Sequence, residues 1–252
     1  MTVSAVSTVA GGIDTNTSVA TTASFAWQNN VLYTFGIGLA SSPVGTVSTI
    51  SGGGLTFALI TTTIFDITTK RLTQYQASTA ANSLTEPIWV KLSKTHSRVE
   101  WNGESWAGQA TDRNPIINIV GSVSTNASTA LLVTVGTVSS GSATCGVYSR
   151  NASSNSWVTT AGFARLAYGV GAAEAQSNFS IYSSSGATAV KAGWVTNASS
   201  GALAFEVAAS SAGGAAATIR QLIQPDLCGT GGSRFLGNLV EFIGESQFVY
   251  EN

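Results

Sequence analysis

Hydrophobic and polar residues alternate along most of the chain, in short runs rich in β-branched and aromatic side chains. A period of two residues is typical of a strand with one buried face, and IWVKLS at 88–93 shows it clearly. Gly, Ser, Asn and Pro interrupt the runs about every eight to twelve residues, as in sandwiches and barrels. Strands are predicted at 18–27, 31–39, 46–50, 55–61, 71–77, 88–93, 116–124, 130–138, 143–150, 156–160, 163–170, 177–183, 190–196 and 202–208.

Helical patterns are few and short. The run AAATIRQLI at 215–223 is followed by Gln224-Pro225, which stops a helix, and LGNLVEFI at 236–243 fits a helix or a strand equally well. The composition changes near Ser210, where the linker-like SSAGGAAA begins. We therefore predict an N-terminal arm at 1–13, one β-sandwich domain at 14–210 and a C-terminal extension at 211–252.

The resemblance of this chain to a known family rests on seven segments and their order. They are VLYTFGIGL, GGGLTF, RLTQYQA, IWVKLS and RVEWNG in the first half, then GFARLAYGVG and GWVTNASSGALAFEV. This order resembles a recurrent jelly-roll domain of uncharacterised phage and bacterial proteins. The resemblance covers roughly residues 14–209 and includes no catalytic motif. It implies an all-β fold, an antiparallel two-sheet jelly-roll-like β-sandwich, and a use in virion parts such as capsid decoration or cement proteins, baseplates and fibres. The C-terminal extension has no counterpart in it.

Charged residues are scarce. Asp, Glu, Lys and Arg make up 9% of the chain, against about 25% in an ordinary globular protein. Hydroxyl groups cost less to desolvate than carboxylates or ammonium groups, so a surface of Ser, Thr, Asn and Gly suits a protein that packs against neighbours. The alternative is a secreted or thermally robust sandwich with a neutral surface. With a net charge of −1, the chain has no basic field for phosphates, and we expect no direct nucleic-acid partner.

The two cysteines and the N-terminus bear on the compartment. Cys145 and Cys228 lie too far apart in sequence for a CxxC pair, and they form either one disulfide or two buried thiols. The strand-like TCGVYS around Cys145 favours the thiols. We expect no signal peptide and no membrane span, because the chain shows neither a charged n-region followed by an apolar run nor eighteen consecutive apolar residues. This favours synthesis in a host cytoplasm followed by assembly.

The stretch THSRVEWNGESWAG at 95–108 holds the chain's single histidine and is the first place to look for an active site. A Ser–His–Asp set would require His96 as its base, but no GxSxG elbow presents a serine. We expect His96 to be a solvent-exposed residue at a strand end or in a loop. The glycines at 52–54 precede the strand-like LTFALITTT and not a helix, so they are not a phosphate loop.

Glycoside hydrolysis is the better catalytic hypothesis, because a sandwich can hold two carboxylates about 5–10 Å apart across a cleft. Asn102-Gly103 is a strong hairpin signal and predicts that Glu100 and Glu104 lie roughly opposite each other on paired strands. No second motif supports this chemistry. We therefore expect the chain not to be an enzyme.

The two tryptophans of this stretch have a simpler interpretation. Trp101 and Trp106 fit the apolar anchors of a hairpin, in a wall that also contacts a neighbour. A third hypothesis is sugar binding without catalysis, in which Trp101, Trp106 or Trp157 stacks on a pyranose and Asn102 binds its hydroxyls. Metal binding is not expected, because one histidine and four aspartates without a DxDxDG-like loop form no site, and no cofactor is predicted.

These expectations converge on a structural virion protein, namely a phage capsid decoration or cement protein that stabilises the major capsid protein lattice. The predicted partners are that protein and copies of this chain, as a homo-oligomer or bound to the lattice, with a glycan as a further possibility. The alternative is a carbohydrate- or receptor-binding module of the lectin, adhesin or tail-fibre kind, followed by a glycoside hydrolase. The predicted partner-binding residues are Phe235, Leu239, Phe242, Phe248 and Tyr250 of the extension, together with Trp101 and Trp106. The extension's apolar residues fit equally well as final strands or a helix packed on the chain's own sandwich.

Overall fold

The computed structural model describes residues 2–13, 15–78, 85–111, 114–151, 157–159, 161–170, 177–184, 186–210, 238–243 and 247–251. The chain divides into two compact units, Met1–Ser210 and Ser211–Asn252. Strands make up 68% of the protein, and the described residues contain no α-helix. The fold class is therefore all-β, with several antiparallel sheets, as the alternating pattern predicts.

The described residues of the first unit form sixteen strands and one short 3-10 turn, Asp66–Thr68. The strands are β1 (Ser4–Ile13), β2 (Thr17–Thr21), β3 (Phe25–Ala26), β4 (Leu32–Ala40), β5 (Val47–Ser51), β6 (Ala58–Phe65), β7 (Lys70–Ser78), β8 (Thr85–Glu86), β9 (Trp89–His96), β10 (Arg98–Ala107), β11 (Ile116–Thr134), β12 (Ala143–Arg150), β13 (Trp157–Thr159), β14 (Ala164–Val170), β15 (Ser177–Ser183) and β16 (Ala189–Val207).

Three larger sheets result. The central sheet has the order β1-β10-β4-β7-β6, and the second sheet has the order β11-β16-β12-β15-β14, with β13 also paired to β16. The cover sheet is β2-β9-β5, and β3 and β8 form a separate pair. All the strand pairs are antiparallel.

The central sheet lies between the other two, and each of its faces meets a hydrophobic core. One core joins Phe35 and Ile37 of β4 to Val90 and Leu92 of the cover sheet. The other core joins Leu32, Leu72 and Trp106 of the central sheet to Val147 and Phe205 of the second sheet. Because both faces are covered, every residue of β4 is buried.

The second sheet is covered on its far face as well. β11 and β16 are each 19 residues long, and their pairing shifts register around Ser128. Residues on both sides of these shifts, including Leu131, Val190 and Ala204, form a third core with Tyr148 of β12. The strands predicted at 116–124 and 130–138 are thus one long strand, and so are those at 190–196 and 202–208.

Residues 4–13 are part of the central sheet, which corrects the expectation of an N-terminal arm. β1 pairs with β10 from Ser4 opposite Ala107 to Ile13 opposite Val99. Just before it, the amide of Val3 donates to the carbonyl of Gly141 at 2.8 Å. The sequence SAVSTVAGGI has few large apolar residues, so its pattern does not predict a strand. The strand is stabilised mainly by pairing with β10.

The Asn102-Gly103 hairpin is also a wrong prediction. Both residues lie inside β10, which pairs along its whole length with β1 on one side and β4 on the other. Gly103 serves packing instead of a turn, since a Cβ there would lie 2.8 Å from Phe35 and 2.9 Å from Val9. Pairing on both edges outweighs the local turn propensity of the dipeptide.

The second unit is described only at β17 (Asn238–Ile243) and β18 (Gln247–Glu251), which pair as an antiparallel hairpin. The strand alternative for 236–243 is confirmed and the helix alternative is wrong. The helix predicted at 215–223 lies outside the described residues.

We expect Gly103→Ala to lower the free energy of unfolding by about 1–3 kcal/mol, because a methyl group overpacks the contact with Phe35 and Val9. Urea denaturation of the purified protein measures the change. Gly121→Ala is the matched control, since its nearest neighbour, Leu203, would lie at an ordinary 3.5 Å. Equal stability losses in the two variants would contradict the packing role of Gly103.

Candidate functional site

The stretch at 95–108 runs from the end of β9 through the whole of β10 into the chain that follows it. β10 is the second strand of the central sheet, and all its residues from Val99 to Trp106 are buried. Residues 100, 102, 104 and 106 of β10 face the second sheet, because side chains alternate along a strand and Trp106 lies in that core. This stretch is an interior wall and not an exposed hairpin.

His96 is fully buried, which corrects the expectation of a solvent-exposed residue, although its place at a strand end is as predicted. The Nε2 atom accepts a hydrogen bond from the amide of Gly45 at 2.9 Å, so the donating ring atom is Nδ1, which lies 2.8 Å from the carbonyl oxygen of Lys94. Burial lowers the pKa of His96, the Lys94 carbonyl raises it, and the charges of Lys94 and Arg71 lower it further. The neutral imidazole fastens β9 to the loop before β5.

Glu104 is the centre of a buried hydrogen-bond cluster between the central and second sheets. Its carboxyl accepts from Asn102 Nδ2 and Thr34 Oγ1, both at 2.9 Å, and from Ser180 Oγ on β15. Trp106 Nε1 donates to Thr34 Oγ1 at 2.8 Å, which leaves the threonine hydroxyl hydrogen for Glu104. The cluster therefore connects β10, β4 and β15 across the interface.

The environment of Glu104 favours the neutral acid. Burial raises its pKa, while the hydrogen bonds from Ser180, Asn102 and Thr34 act in the opposite direction. Glu104 has no exposed surface, so its carboxyl reaches no substrate in this conformation. Its chemistry here is that of a structural acceptor.

Gln74 adds amide groups to the same face of the central sheet. It lies across Gly36 from Asn102, and a Cβ on Gly36 would be 2.7 Å from Gln74 Oε1 and 2.8 Å from Asn102 Oδ1. Both polar atoms of the Gln74 amide are buried without a hydrogen-bond partner, as is Asn102 Oδ1. The missing side chain at Gly36 is what lets the two amides meet.

Charged groups collect farther along the same interface. Lys70 and Arg98 both lie opposite Ala40. Burial lowers the pKa of Lys70, the charges of Asp66 and Glu100 raise it, and that of Arg98 lowers it. Asp66 in turn accepts hydrogen bonds from Asn151 Nδ2 at 2.7 Å and Ser199 Oγ at 3.0 Å. The turn between β6 and β7 is thus attached to the second sheet.

The structure does not bring Glu100 and Glu104 opposite each other. They lie four residues apart on one strand, which separates their Cα atoms by about 13 Å. Both are fully buried, whereas a glycosidase needs its two carboxyl groups about 5–10 Å apart beside a substrate cleft. This geometry does not support the glycosidase hypothesis.

Trp101 and Trp106 are buried inside the first unit, with 5% and 0% of their surface exposed. Their burial agrees with the interpretation as wall residues but removes them from the predicted partner-binding surface and from the sugar-stacking set. The side chain of Trp157 lies outside the described residues. Among the four tryptophans whose side chains are described, Trp89 is the exposed one, at 44%, on the outer face of the cover sheet. The alternation of IWVKLS was the available signal, because it places Trp89 and Lys91 on the face opposite Ile88 and Val90.

The remaining predicted partner residues belong to the second unit. β17 and β18 place Leu239 opposite Tyr250 and Phe242 opposite Phe248. Phe235 lies outside the described residues.

Three further features of the described part of the chain are its cysteine, its possible metal ligands and its possible membrane helices. Cys145 is a free buried thiol in β12, with a pKa that burial raises well above its usual range, and Cys228 lies outside that part. No group of three or more His, Cys, Asp or Glu residues is arranged there to hold a metal ion. A helix of the length and apolarity required to cross a membrane is likewise not found in it.

Few charged side chains in the described part of the first unit are fully exposed, and six more are half-buried: Asp66, Lys70, Arg71, Glu86, Lys94 and Arg98. Only Lys91 and Lys191 are exposed among the charged residues whose side chains are described, and Glu100, Glu104, Arg150 and Glu206 are buried. Ten large hydrophobic residues are more than 40% exposed: Val6, Val19, Leu59, Ile64, Ile67, Trp89, Ile119, Val123, Leu132 and Val158.

Comparison of the chain with protein-family models, with curated proteins and with solved structures gives no match. A function for this chain therefore has to be argued from its own surface and geometry.

We expect NMR of the chain's single histidine to give a native pKa below its ordinary value of 6.5. His96 then contributes stability fully above pH 6.5, and the contribution falls as the pH drops toward the native pKa, since the unfolded chain binds the proton first. His96→Gln should remove this acid-dependent loss in urea denaturation. A native pKa at or above 6.5 would contradict the buried, neutral imidazole.

Glu104 should change stability with pH in the direction opposite to that of His96. Burial raises the native pKa of Glu104, so its contribution to stability is fully present below its ordinary value of 4.5. This contribution is lost as the pH rises toward the native pKa. Glu104→Gln should abolish this fall and leave the opposite slope from His96. Urea denaturation at a series of pH values measures both slopes, with Glu86→Gln as the control outside the cluster. An unchanged profile in Glu104→Gln would show that the carboxyl is not the titrating group.

Proposed function

We propose that this protein is a structural component of a virus particle, a phage capsid decoration or cement protein that binds and stabilises the lattice of the major capsid protein. In this proposal the first unit is a jelly-roll-like sandwich that docks across adjacent capsid subunits, and the C-terminal extension crosses to a neighbour. The role is mechanical and involves no catalysis or cofactor. The protein would be assembled in the host cytoplasm and reside in the virion.

The observation that carries the proposal is the composition of the surface. The described part has ten exposed large hydrophobic residues and two exposed charged residues. A free monomer usually exposes more charged than large hydrophobic residues, because charge resists association. Depletion of charge is characteristic of interface cores. Neutral hydroxyl-rich surface between the apolar residues costs little to bury, so broad faces of the protein are suited to contact.

The edges of the sheets support the same role. Among the described strands, β1, β5 and β6 lie at sheet edges, and their sequences SAVSTVAGGI, VSTIS and ALITTTIF contain neither charge nor proline. Proteins that remain monomeric commonly protect such edges with lysine, proline or a covering loop. Edges without these residues suit strand pairing with a neighbour in an assembly.

A second candidate function, binding of a glycan, is favoured by Trp89. On the outer face of the cover sheet, Trp89 lies between Thr21 and Ser51 on the neighbouring strands, both exposed. Strands are about 4.8 Å apart, so hydroxyl groups flank the indole on both sides at a distance that suits a pyranose stacked on it. A tail-fibre or receptor-binding module would use such a face.

Electron cryo-microscopy of particles from the source material tests the main proposal. We expect regular, stoichiometric copies of the protein on the outside of a shell, and light scattering should give the mass of the free form. A well-behaved free oligomer that is absent from every particle would refute it.

The glycan alternative has its own test. We expect Trp89→Ala to abolish glycan-array binding under this alternative and to leave the unfolding free energy nearly unchanged, because Trp89 lies on an outer face. Binding that survives the substitution would remove Trp89 from consideration.

A further inference from the structure

A cleft of about 270 Å³ lies beside β5, lined by Val47, Ser48, Thr49, Ile50, Phe57 and Tyr75. Its volume is below the range typical of small-molecule sites, about 300–1,000 Å³, and suits one or two side chains of a peptide. Phe57 and Tyr75 provide an aromatic wall, and Val47 and Ile50 add aliphatic surface.

The cleft runs along the edge of β5. The cleft is lined by four consecutive residues, Val47 to Ile50, and the pairing of β5 with β9 shifts register between Val47 and Thr49, so the cleft lies along the backbone of β5 at this irregularity. β5 pairs with β9 on one side and is the last strand of the cover sheet on the other, among the described residues. A free strand edge beside a pocket for side chains is the arrangement that proteins use to accept an additional strand, and this pocket offers hydroxyl groups as well as aliphatic and aromatic surface.

Two basic residues, Lys91 and Arg71, lie near the strand or the cleft. Lys91 is exposed and lies opposite Thr49 in the sheet, and Arg71 is close enough to Tyr75 to lower that residue's pKa against the larger raising effect of burial. Lys94 lies on the same strand as Lys91. Glu86 is at the far end of β5, where it accepts a hydrogen bond from Gly53. An acidic strand would be complementary to this surface.

The C-terminal hairpin of the chain is acidic and ends in a strand of this kind, β18, which carries Glu251. β18 (Gln247–Glu251) has five residues, like β5, and its sequence QFVYE places Phe248 and Tyr250 on one face by the two-residue period. From Phe235 to Asn252 the chain has three glutamates, Glu241, Glu245 and Glu251, and no basic residue. β18 pairs only with β17 among the described residues, and an isolated two-stranded hairpin is marginally stable in water.

We propose that β5 of one copy accepts β18 of a second copy as an added strand, with an aromatic side chain of β18 in the cleft. The proposal rests on the function proposed above, since it names copies of the chain as partners in the assembly. It makes each copy both donor and acceptor, which links copies head to tail. Self-association through β5 and attachment to a shell are separate contacts, and either is testable without the other.

Sedimentation velocity of the full chain over a range of concentrations tests the proposal. We expect concentration-dependent self-association that weakens in about 0.5 M NaCl, because the contact is partly electrostatic. Ser48→Glu, at an exposed residue of the β5 edge, should weaken it about tenfold by repelling the acidic strand. The matched control is Thr21→Glu, an exposed residue on β2 at the opposite edge of the same sheet, which should leave it unchanged.

The donor strand is tested in the same assay. Val249→Pro removes a backbone N–H from β18 and should abolish self-association. A peptide with the sequence of residues 247–252 should then bind the Val249→Pro protein, and the same peptide with proline at position 249 should not. A monomer at all concentrations, equal effects of Ser48→Glu and Thr21→Glu, or normal association of Val249→Pro would each overturn the proposal. Loss of self-association with intact shell binding would leave the proposed function standing.

Discussion

Strands β4 and β10 of the central sheet have no solvent-facing side, and much of the structure follows from that constraint. Polar groups on these strands have no access to water, so a hydrogen-bond partner within the protein stabilises each one that has it, and a buried group without a partner, such as Asn102 Oδ1, costs about 1–3 kcal/mol. The face toward the cover sheet carries mainly aromatic and aliphatic side chains, which need no hydrogen-bond partner. The face toward the second sheet carries Thr34, Asn102 and Glu104, whose hydrogen bonds to one another and to Ser180 hold the two sheets in one alignment.

The strand content followed from the sequence, since a period of two residues depends only on which face of a strand is buried. β12 and β15 have the predicted boundaries, Ala143–Arg150 and Ser177–Ser183. The errors came where tertiary pairing outweighs local preference. β1 carries too few large apolar residues to be recognised alone, and Asn102-Gly103 has the residues of a turn but lies in the middle of a doubly paired strand.

The candidate site was harder to predict for a related reason. Sequence alone does not tell a buried polar residue from an exposed one when both occupy a strand, so it predicts His96 at the surface and does not reveal that Glu100 and Glu104 are buried. The signals that did exist were small neighbours: Gly45 beside His96, Gly36 between Asn102 and Gln74, and Gly103 beneath Phe35. A glycine opposite a polar residue in a strand indicates room for that side chain to be enclosed.

The distribution of charge connects the interior with the proposed role. Among the described side chains of the first unit, Glu100, Glu104, Arg150 and Glu206 are buried, and Lys91 and Lys191 are the charged residues that are exposed. Buried charges that are hydrogen-bonded favour one arrangement of the fold, and under the proposed function the neutral surface costs little to bury against a neighbour. Solubility then depends on hydroxyl and amide groups, which bind water without long-range repulsion between copies.

The order of the strands along the chain has a consequence for synthesis. The central and cover sheets use only residues 4–107, and the second sheet uses only residues 116–207. During translation the first half is able to complete its sheets while the face bearing Glu104 is still hydrated. That carboxyl loses its water only when β15 arrives from the ribosome, so the step that expels solvent from between the halves is also the step that commits the nascent chain to its native form.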